Sequence, residues 1–114
     1  MLKMRACEPE MHIRVSMEGE GTCVVQCAGD VDIEGAPELH AALELGLREA
    51  RQKLILDLRD VSSMDSAAVG EIVKARNHLA NGVAMSVCTG NARLRMLLEM
   101  AGLTRRSTSQ APAA

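Results

Sequence analysis

The sequence predicts an α/β fold: one domain built on a mixed sheet of about four strands, with helices packed mainly on one face. Three observations carry this. Short alternating or continuous apolar runs are interleaved with longer stretches whose apolar residues recur at helical spacing. The elements follow in the order strand, strand, helix, strand, helix, strand, helix, and strand–helix–strand units imply parallel pairing through right-handed crossovers. A short glycine-bearing connection between the first two strands adds an antiparallel hairpin at one edge.

Each element has its own local signal. Met11, Ile13, Val15 and Met17 alternate with His12, Arg14 and Ser16, the period of a half-buried strand. Glu18-Gly19-Glu20-Gly21 is a turn, and Thr22 to Ala28 is a second strand with Cys23, Val25 and Cys27 on one face. Gly29-Asp30-Val31-Asp32-Ile33-Glu34-Gly35 is expected to be a loop, after which Pro37 suits the first turn of a helix. Leu39, Ala42, Leu43, Gly46, Leu47 and Ala50 form the apolar stripe of that helix. Leu54 to Leu58 is apolar except for Asp57, the pattern of a central strand covered on both faces.

A polar loop then leads to a helix predicted from Ser66 to about Ala80, with Val69, Ile72, Val73 and Leu79 inward and Asn81-Gly82 as terminator. Val83 to Thr89 is the last strand, and Gly90-Asn91 precedes a third helix over Ala92 to about Ala101, closed by Gly102. Leu94, Leu97, Leu98 and Ala101 are its inner stripe, while Met96 and Met100 lie four residues apart on a different face. Two readings of that methionine pair stand: a flexible apolar patch for a homodimer or partner contact, or a patch covered by the tail. The domain is expected over residues 11–103, with an N-terminal extension over 1–10 and a polar tail over 104–114 that lacks periodicity and is expected to be disordered.

Composition excludes several classes of function. A net charge of −2 gives no electrostatic case for nucleic acid or an anionic membrane. Phe, Tyr and Trp are all absent, so no base-stacking platform can be built and the core must be aliphatic. No stretch approaches a bilayer-spanning length, and Met1 to Pro9 has no signal-peptide pattern, which together point to a cytoplasmic protein. Cys7, Cys23, Cys27 and Cys88 then read as reduced thiols. Cys23 and Cys27, on one strand face, would be about 13 Å apart by strand rise, too far to bridge. His12, His40 and His78 show no ligand spacing with the cysteines, so neither a metal nor a cofactor is expected.

The chemistry-bearing feature is Ser66, where a polar loop ending in Asp65-Ser66 meets a helical pattern. A hydroxyl at a helix start can be a cap, worth ~1 kcal/mol. It can also be a phosphoacceptor, because the amides and dipole of a helix start favour negative charge. The Asp30, Asp32 and Glu34 loop likewise has two readings, a solvated loop with a helix-capping carboxylate or a docking edge for a basic partner. Catalysis by Ser66 has little behind it: there is no Gly-x-Ser-x-Gly elbow, no histidine placed by local pattern to serve as base, and no glycine-rich phosphate cradle. The chain reads as a substrate of a kinase and not as an enzyme.

The order of elements, with Gly29-Asp30-Val31-Asp32, Leu56-Asp57-Leu58, Val61-Ser62-Ser63-Met64-Asp65-Ser66 and Asn91-Ala92-Arg93-Leu94…Met100-Ala101-Gly102-Leu103, resembles a STAS domain, and more narrowly a bacterial anti-sigma factor antagonist. The resemblance covers roughly Met11 to Leu103. It implies a partner-switching protein that binds an anti-sigma factor with ATP-dependent serine kinase activity, with phosphorylation breaking the complex and a serine phosphatase restoring it. Carried over by position, Ser66 is the phosphoacceptor, Asp65 its neighbour in the motif, and Asp32, with Asp30 beside it, the acidic position that meets the kinase. The usual Asp-Ser-Ser-Gly-Leu-Gly turn is replaced here by Asp65-Ser66-Ala67-Ala68-Val69-Gly70. The alternative implied by the same resemblance is a non-catalytic accessory subunit of a lipid-transport ABC complex or a stressosome-like assembly.

Overall fold

A computed structural model describes residues 11–103 of the 114-residue chain, so Cys7, the predicted N-terminal extension and the predicted tail lie outside the described residues. The elements are β1 His12–Glu18, β2 Thr22–Val31, α1 Ala36–Glu49, β3 Lys53–Met64, α2 Ser66–Asn77, β4 Ala84–Thr89 and α3 Ala92–Met100. The sheet runs β1-β2-β3-β4, with β1 antiparallel to β2 and the other two pairs parallel. This is the predicted mixed four-strand sheet, with the hairpin at its edge.

Register explains why one face takes the helices. Ile13 opposes Cys27 and Val15 opposes Val25, while Leu54 and Leu56 lie beside Met85 and Val87. Side chains alternate along strands, so these apolar residues share one side. Against that side pack α1, over β1 and β2, and α3, over β3 and β4, with α2 against α1. Cys23, Val25, Leu39, Leu54, Leu56, Leu58, Ile72 and Leu98 are fully inaccessible at its centre. Gly46 lets α1 approach closely, since a methyl there would press on Leu54 and Val25. No helix among the described residues is long and apolar enough to cross a membrane.

Three expectations need correction. Gly29 to Val31 is strand and not loop, and β3 continues past Leu58 to Met64. The two strands extend together: Gly29 pairs with Val61, Asp30 with Ser63 and Val31 with Met64. Register shifts between Gln26 and Ala28, and between Gly29 and Asp30, break the alternation of this stretch of β3, which is how bulges hide a strand from a period-two reading. Second, α2 ends at Asn77, because Gly82, with φ +85, serves the following turn and not the helix terminus.

Third, β3 is not covered by helices on both faces. Ile55 is half-buried on the other side, and Asp57 is buried there beneath Arg59, which donates from Nε and Nη2 at 2.9 Å each. Those hydrogen bonds hold the Asp57 carboxyl below its usual range against the opposing effect of burial. The α3 terminus is as predicted. Gly102 (φ +79) donates to the Glu99 carbonyl and Leu103 to the Leu98 carbonyl, both at 2.9 Å, a Schellman closure with Leu103 buried against the core.

Gly70 stands in open space within α2, with nothing within 4 Å of a Cβ placed there. Gly70→Ala is expected to stabilise the domain by ~0.5–1 kcal/mol, by removing unfolded-state freedom from a helix interior. Urea unfolding of the two proteins, with an unchanged slope and a higher midpoint for the variant, checks this.

Candidate functional site

The site lies where β2 and β3 end side by side. Val31 and Met64 are their last paired residues, and the amide of Asp65 donates to the Val31 carbonyl at 3.1 Å. The residues that follow, Asp32 on one strand and Asp65-Ser66 on the other, therefore emerge as neighbours. Carboxyl ends of parallel strands are where α/β folds place their binding sites, because the chain turns outward there into exposed loops and helix starts.

The helix cap at this end belongs to Asp65 and not to Ser66. Asp65 is the N-cap of α2, with extended backbone, and its Oδ1 accepts from the Ala68 amide at 3.2 Å. Ser66 is the first helical residue and is exposed, and its hydroxyl has no hydrogen-bond partner among the described residues. The capping reading of Ser66 is thus removed by its neighbour, and the serine oxygen is left facing solvent.

The acidic loop is ordered by its own carboxylates. Asp32 Oδ1 accepts from the amides of Glu34 at 3.1 Å and Gly35 at 3.2 Å, which turns the chain into α1. Asp30 Oδ1 accepts from the Ser63 hydroxyl at 2.9 Å, tying the end of β2 to the end of β3. Ile33, between Asp32 and Glu34 in the chain, is 67% exposed. Asp30, Asp32, Asp65 and Ser66 therefore come to one end of the sheet, although Asp32 and Asp65 are each partly engaged in local turns.

Two further contributors flank this end: one to which the sequence gives no role, and one of which it shows only the methionines. Asn91 caps α3, its Oδ1 accepting from the Leu94 amide at 2.7 Å, while its Nδ2 donates to the Val61 carbonyl at 3.3 Å. That pins the start of α3 beside the end of β3. An Asn immediately before a helical stripe is itself an N-cap signal. The second is an apolar groove of about 360 Å³ between α3 and the end of β3, lined in part by Ser63, Met64, Arg93, Met96, Leu97 and Met100. Met96 and Met100 are 62% and 82% exposed at its wall.

Of the histidines, His12 pairs with Ala28 near this end of β2, while His40 engages the helices. His40 on α1 is bridged by Glu71 of α2, Nδ1 to Oε1 at 2.7 Å, and by Glu44 at 3.2 Å. Lys74 stands 3.6 Å from Glu71. The Glu71 hydrogen bond raises the His40 pKa, and His40 in turn lowers that of Glu71. Cys23 and Cys27 are buried free thiols, burial pushing Cys27 up to about 12, and Cys88 is free and half-buried. Among the described residues no cluster of His, Cys, Asp or Glu is placed to hold a metal ion.

The His40 clasp gives a signed pH dependence. A pKa raised on folding contributes stability that is complete below the unfolded value, about 6.5, and is lost as pH rises through the folded value. Glu71, with a lowered pKa, contributes above its unfolded value of about 4.3 and loses that contribution as pH falls. His40→Gln is expected to melt below wild type at about pH 5.5 and to converge with it at about pH 8.5. Thermal unfolding of both proteins at the two pH values checks this.

The fold agrees with the comparisons. Among curated proteins none matches the chain. The fold resembles that of an anti-sigma factor antagonist from Mycobacterium paratuberculosis, with a TM-score of 0.75 and 21% identity over 82% of this chain and 80% of that one. It also resembles the anti-sigma factor antagonist SpoIIAA in its unphosphorylated form (TM-score 0.68, 18% identity, 86% of this chain and 92% of that one). The phosphorylated form of SpoIIAA, a Bacillus cell fate determinant, gives 0.66 and 18% over 86% and 96%. At such identities the likeness establishes the fold. The family model for the STAS domain matches residues 14–110, most of the chain and all of the sheet end just described, so the chain belongs to the STAS domain family.

Proposed function

We propose that this protein is an anti-sigma factor antagonist that binds an anti-sigma factor with ATP-dependent serine kinase activity and is released from it by phosphorylation of Ser66. In this reading a serine phosphatase restores binding and the domain itself performs no catalysis. The observation that carries it is the division of labour at the start of α2: Asp65 satisfies the helix while the Ser66 hydroxyl remains exposed and unengaged. A serine held as a cap would lose its role on modification; this one can be modified without cost to the helix.

The electrostatics favour an effect on the complex and not on the fold. A phosphate adds about −1.5 to −2 charge at neutral pH. Helix-start amides attract it, while Asp65, and Asp32 at the neighbouring strand end, oppose it. A partner surface matched to a neutral hydroxyl would have to bury that charge unpaired, which is costly. Asp30 and Asp32 serve in this reading as the edge that meets basic residues of the kinase.

Intact mass after incubation with ATP and an anti-sigma factor kinase from the same genome tests the proposal. Wild type should gain one phosphate and Ser66→Ala none; a phosphate that persists on Ser66→Ala would sink the site assignment.

A further inference from the structure

We infer that Asp57 is a positioning residue for phosphoryl transfer, an assignment that rests on Ser66 as the phosphoacceptor: it holds a bulge in β3 that sets the level at which the Asp65-Ser66 turn leaves the sheet. In that transfer a bond forms between Ser66 Oγ and the γ-phosphorus of ATP, the bond from that phosphorus to the ADP oxygen breaks, and the hydroxyl proton passes to a base of the kinase. The rate therefore depends on where Oγ stands. Asp57 is the one buried charged side chain among the described residues, 7% exposed. A buried ion pair is a weak source of stability, because desolvation offsets its attraction; fixing a register is the better attested use of such groups. Asp57 sits where a register is decided.

Thr22 to Gln26 pair in step with Lys53 to Asp57. Beyond them β3 gains one residue over β2 between Gln26 and Ala28, and a second between Gly29 and Asp30. The extra residues keep Leu58, Val61 and Met64 buried, while Asp60 and Ser62, which a straight strand would turn inward, are exposed. They also draw the end of β3 back by about 6.6 Å, two residues of strand rise. Met64 thereby ends level with Val31, and the Asp65 amide reaches the Val31 carbonyl at 3.1 Å. A straight β3 would carry Ser66 that much farther past Asp32.

Each bulge is held by a side chain. At the second, the Ser63 hydroxyl donates to Asp30 Oδ1 at 2.9 Å. At the first, Asp57 Oδ1 accepts from the Arg59 amide at 3.1 Å and from Arg59 Nε at 2.9 Å, and Oδ2 accepts from Nη2 at 2.9 Å. Arg59 has no register partner in either neighbouring strand, so Asp57 gives its amide an acceptor. Oδ1 thus fixes the backbone of the bulge, while the guanidinium balances the buried charge.

Initial rates with ATP and an anti-sigma factor kinase from the same genome, paired with amide hydrogen exchange, test the inference, and circular dichroism confirms that each variant is folded. Asp57→Asn keeps an oxygen for the Arg59 amide and should match wild type. Asp57→Val with Arg59→Met replaces the pair by apolar side chains, which keeps the domain stable but frees the bulge. Its kcat should fall about tenfold with KM within about twofold, because the docking edge on β2 is intact and the hydroxyl is displaced. Exchange of the Asp65 amide should quicken about tenfold, while that of Leu54 and Leu56 stays as in wild type. Arg59→Ala leaves Oδ1 on the amide and should melt below wild type yet keep its kcat, so that lost stability and lost rate fall on different variants. If the double variant does not fold, Asp57→Ala carries the same expectations. Wild-type kcat or wild-type Asp65 exchange in the double variant overturns the inference and leaves Ser66 the phosphoacceptor. A loss that falls on KM, or Asp57→Asn or Arg59→Ala as slow as the double variant, overturns it in the same way. A wild type that takes no phosphate overturns the phosphoacceptor reading, and the role of Asp57 in transfer with it.

Discussion

Ser66→Asp is expected to weaken the complex with the anti-sigma factor kinase by about 100-fold, equivalent to ~2.7 kcal/mol, while shifting the stability of the free domain by no more than ~0.5 kcal/mol. The two halves of this result come from different places. Stability is unaffected because the helix cap is Asp65 Oδ1 on the Ala68 amide, a contact the substitution does not touch. The new carboxylate sits in the first turn of α2, where a helix start favours an anion, and beside Asp65, which repels it; the two effects offset one another. Binding suffers because the side chain is exposed in the free domain and must be desolvated at an interface. Calorimetric titration with the kinase, paired with thermal unfolding, checks both halves. Ser66→Ala should bind close to wild type, since it adds no charge. An aspartate variant that binds as well as wild type would remove the docking surface from this turn.

Gly90→Ala is expected to cost ~3 kcal/mol, near the upper end for overpacking. Gly90 follows the last residue of β4, where Thr89 pairs with Leu58, and so lies against Arg59. A Cβ there would fall well inside the van der Waals contact of the Arg59 carbonyl oxygen, and 3.2 Å from its Cα. The obstacle is backbone, at the irregular stretch of β3 that also carries the Asp57–Arg59 pair, so no side chain can swing aside to relieve it. The next residue is Asn91, which caps α3 and holds the Val61 carbonyl. The strain should therefore loosen the start of α3 as well as the end of β4. Denaturant unfolding should show the drop in midpoint, and hydrogen exchange should show the loss of protection concentrated in β4 and α3. A midpoint within error of wild type would mean that the β4 end moves freely away from Arg59.

The contrast with Gly70 shows what local sequence can and cannot tell. Both are single glycines, one inside a helical pattern and one just ahead of one, yet the first stands in open space and the second against a backbone carbonyl of a strand some thirty residues earlier. The same limit hid the extra length of β2 and β3. Arg59, Asp60, Ser62 and Ser63 look like a polar loop, and only the pairing of Asp60, Val61, Ser63 and Met64 with Ala28 to Val31 makes the stretch strand. It also hid the tie between Asp30 and Ser63 and the clasp between His40 and Glu71, partners 33 and 31 residues apart.

By itself the sequence determined the order of elements, the α/β class, the apolar stripes and the place of Ser66. All of these rest on periodicity and turn chemistry within a few residues, which each segment carries alone. The exposed methionines of α3 were legible for the same reason. Only the tertiary structure decided that Asp65 and not Ser66 caps α2. Asp and Ser favour the same position equally, and the choice falls to the residue whose amide is already held by Val31 of the neighbouring strand. It alone brought the acidic loop beside Ser66, because that closeness comes from two parallel strands ending together. It also turned the methionines into one wall of a groove, because the other wall is supplied by β3.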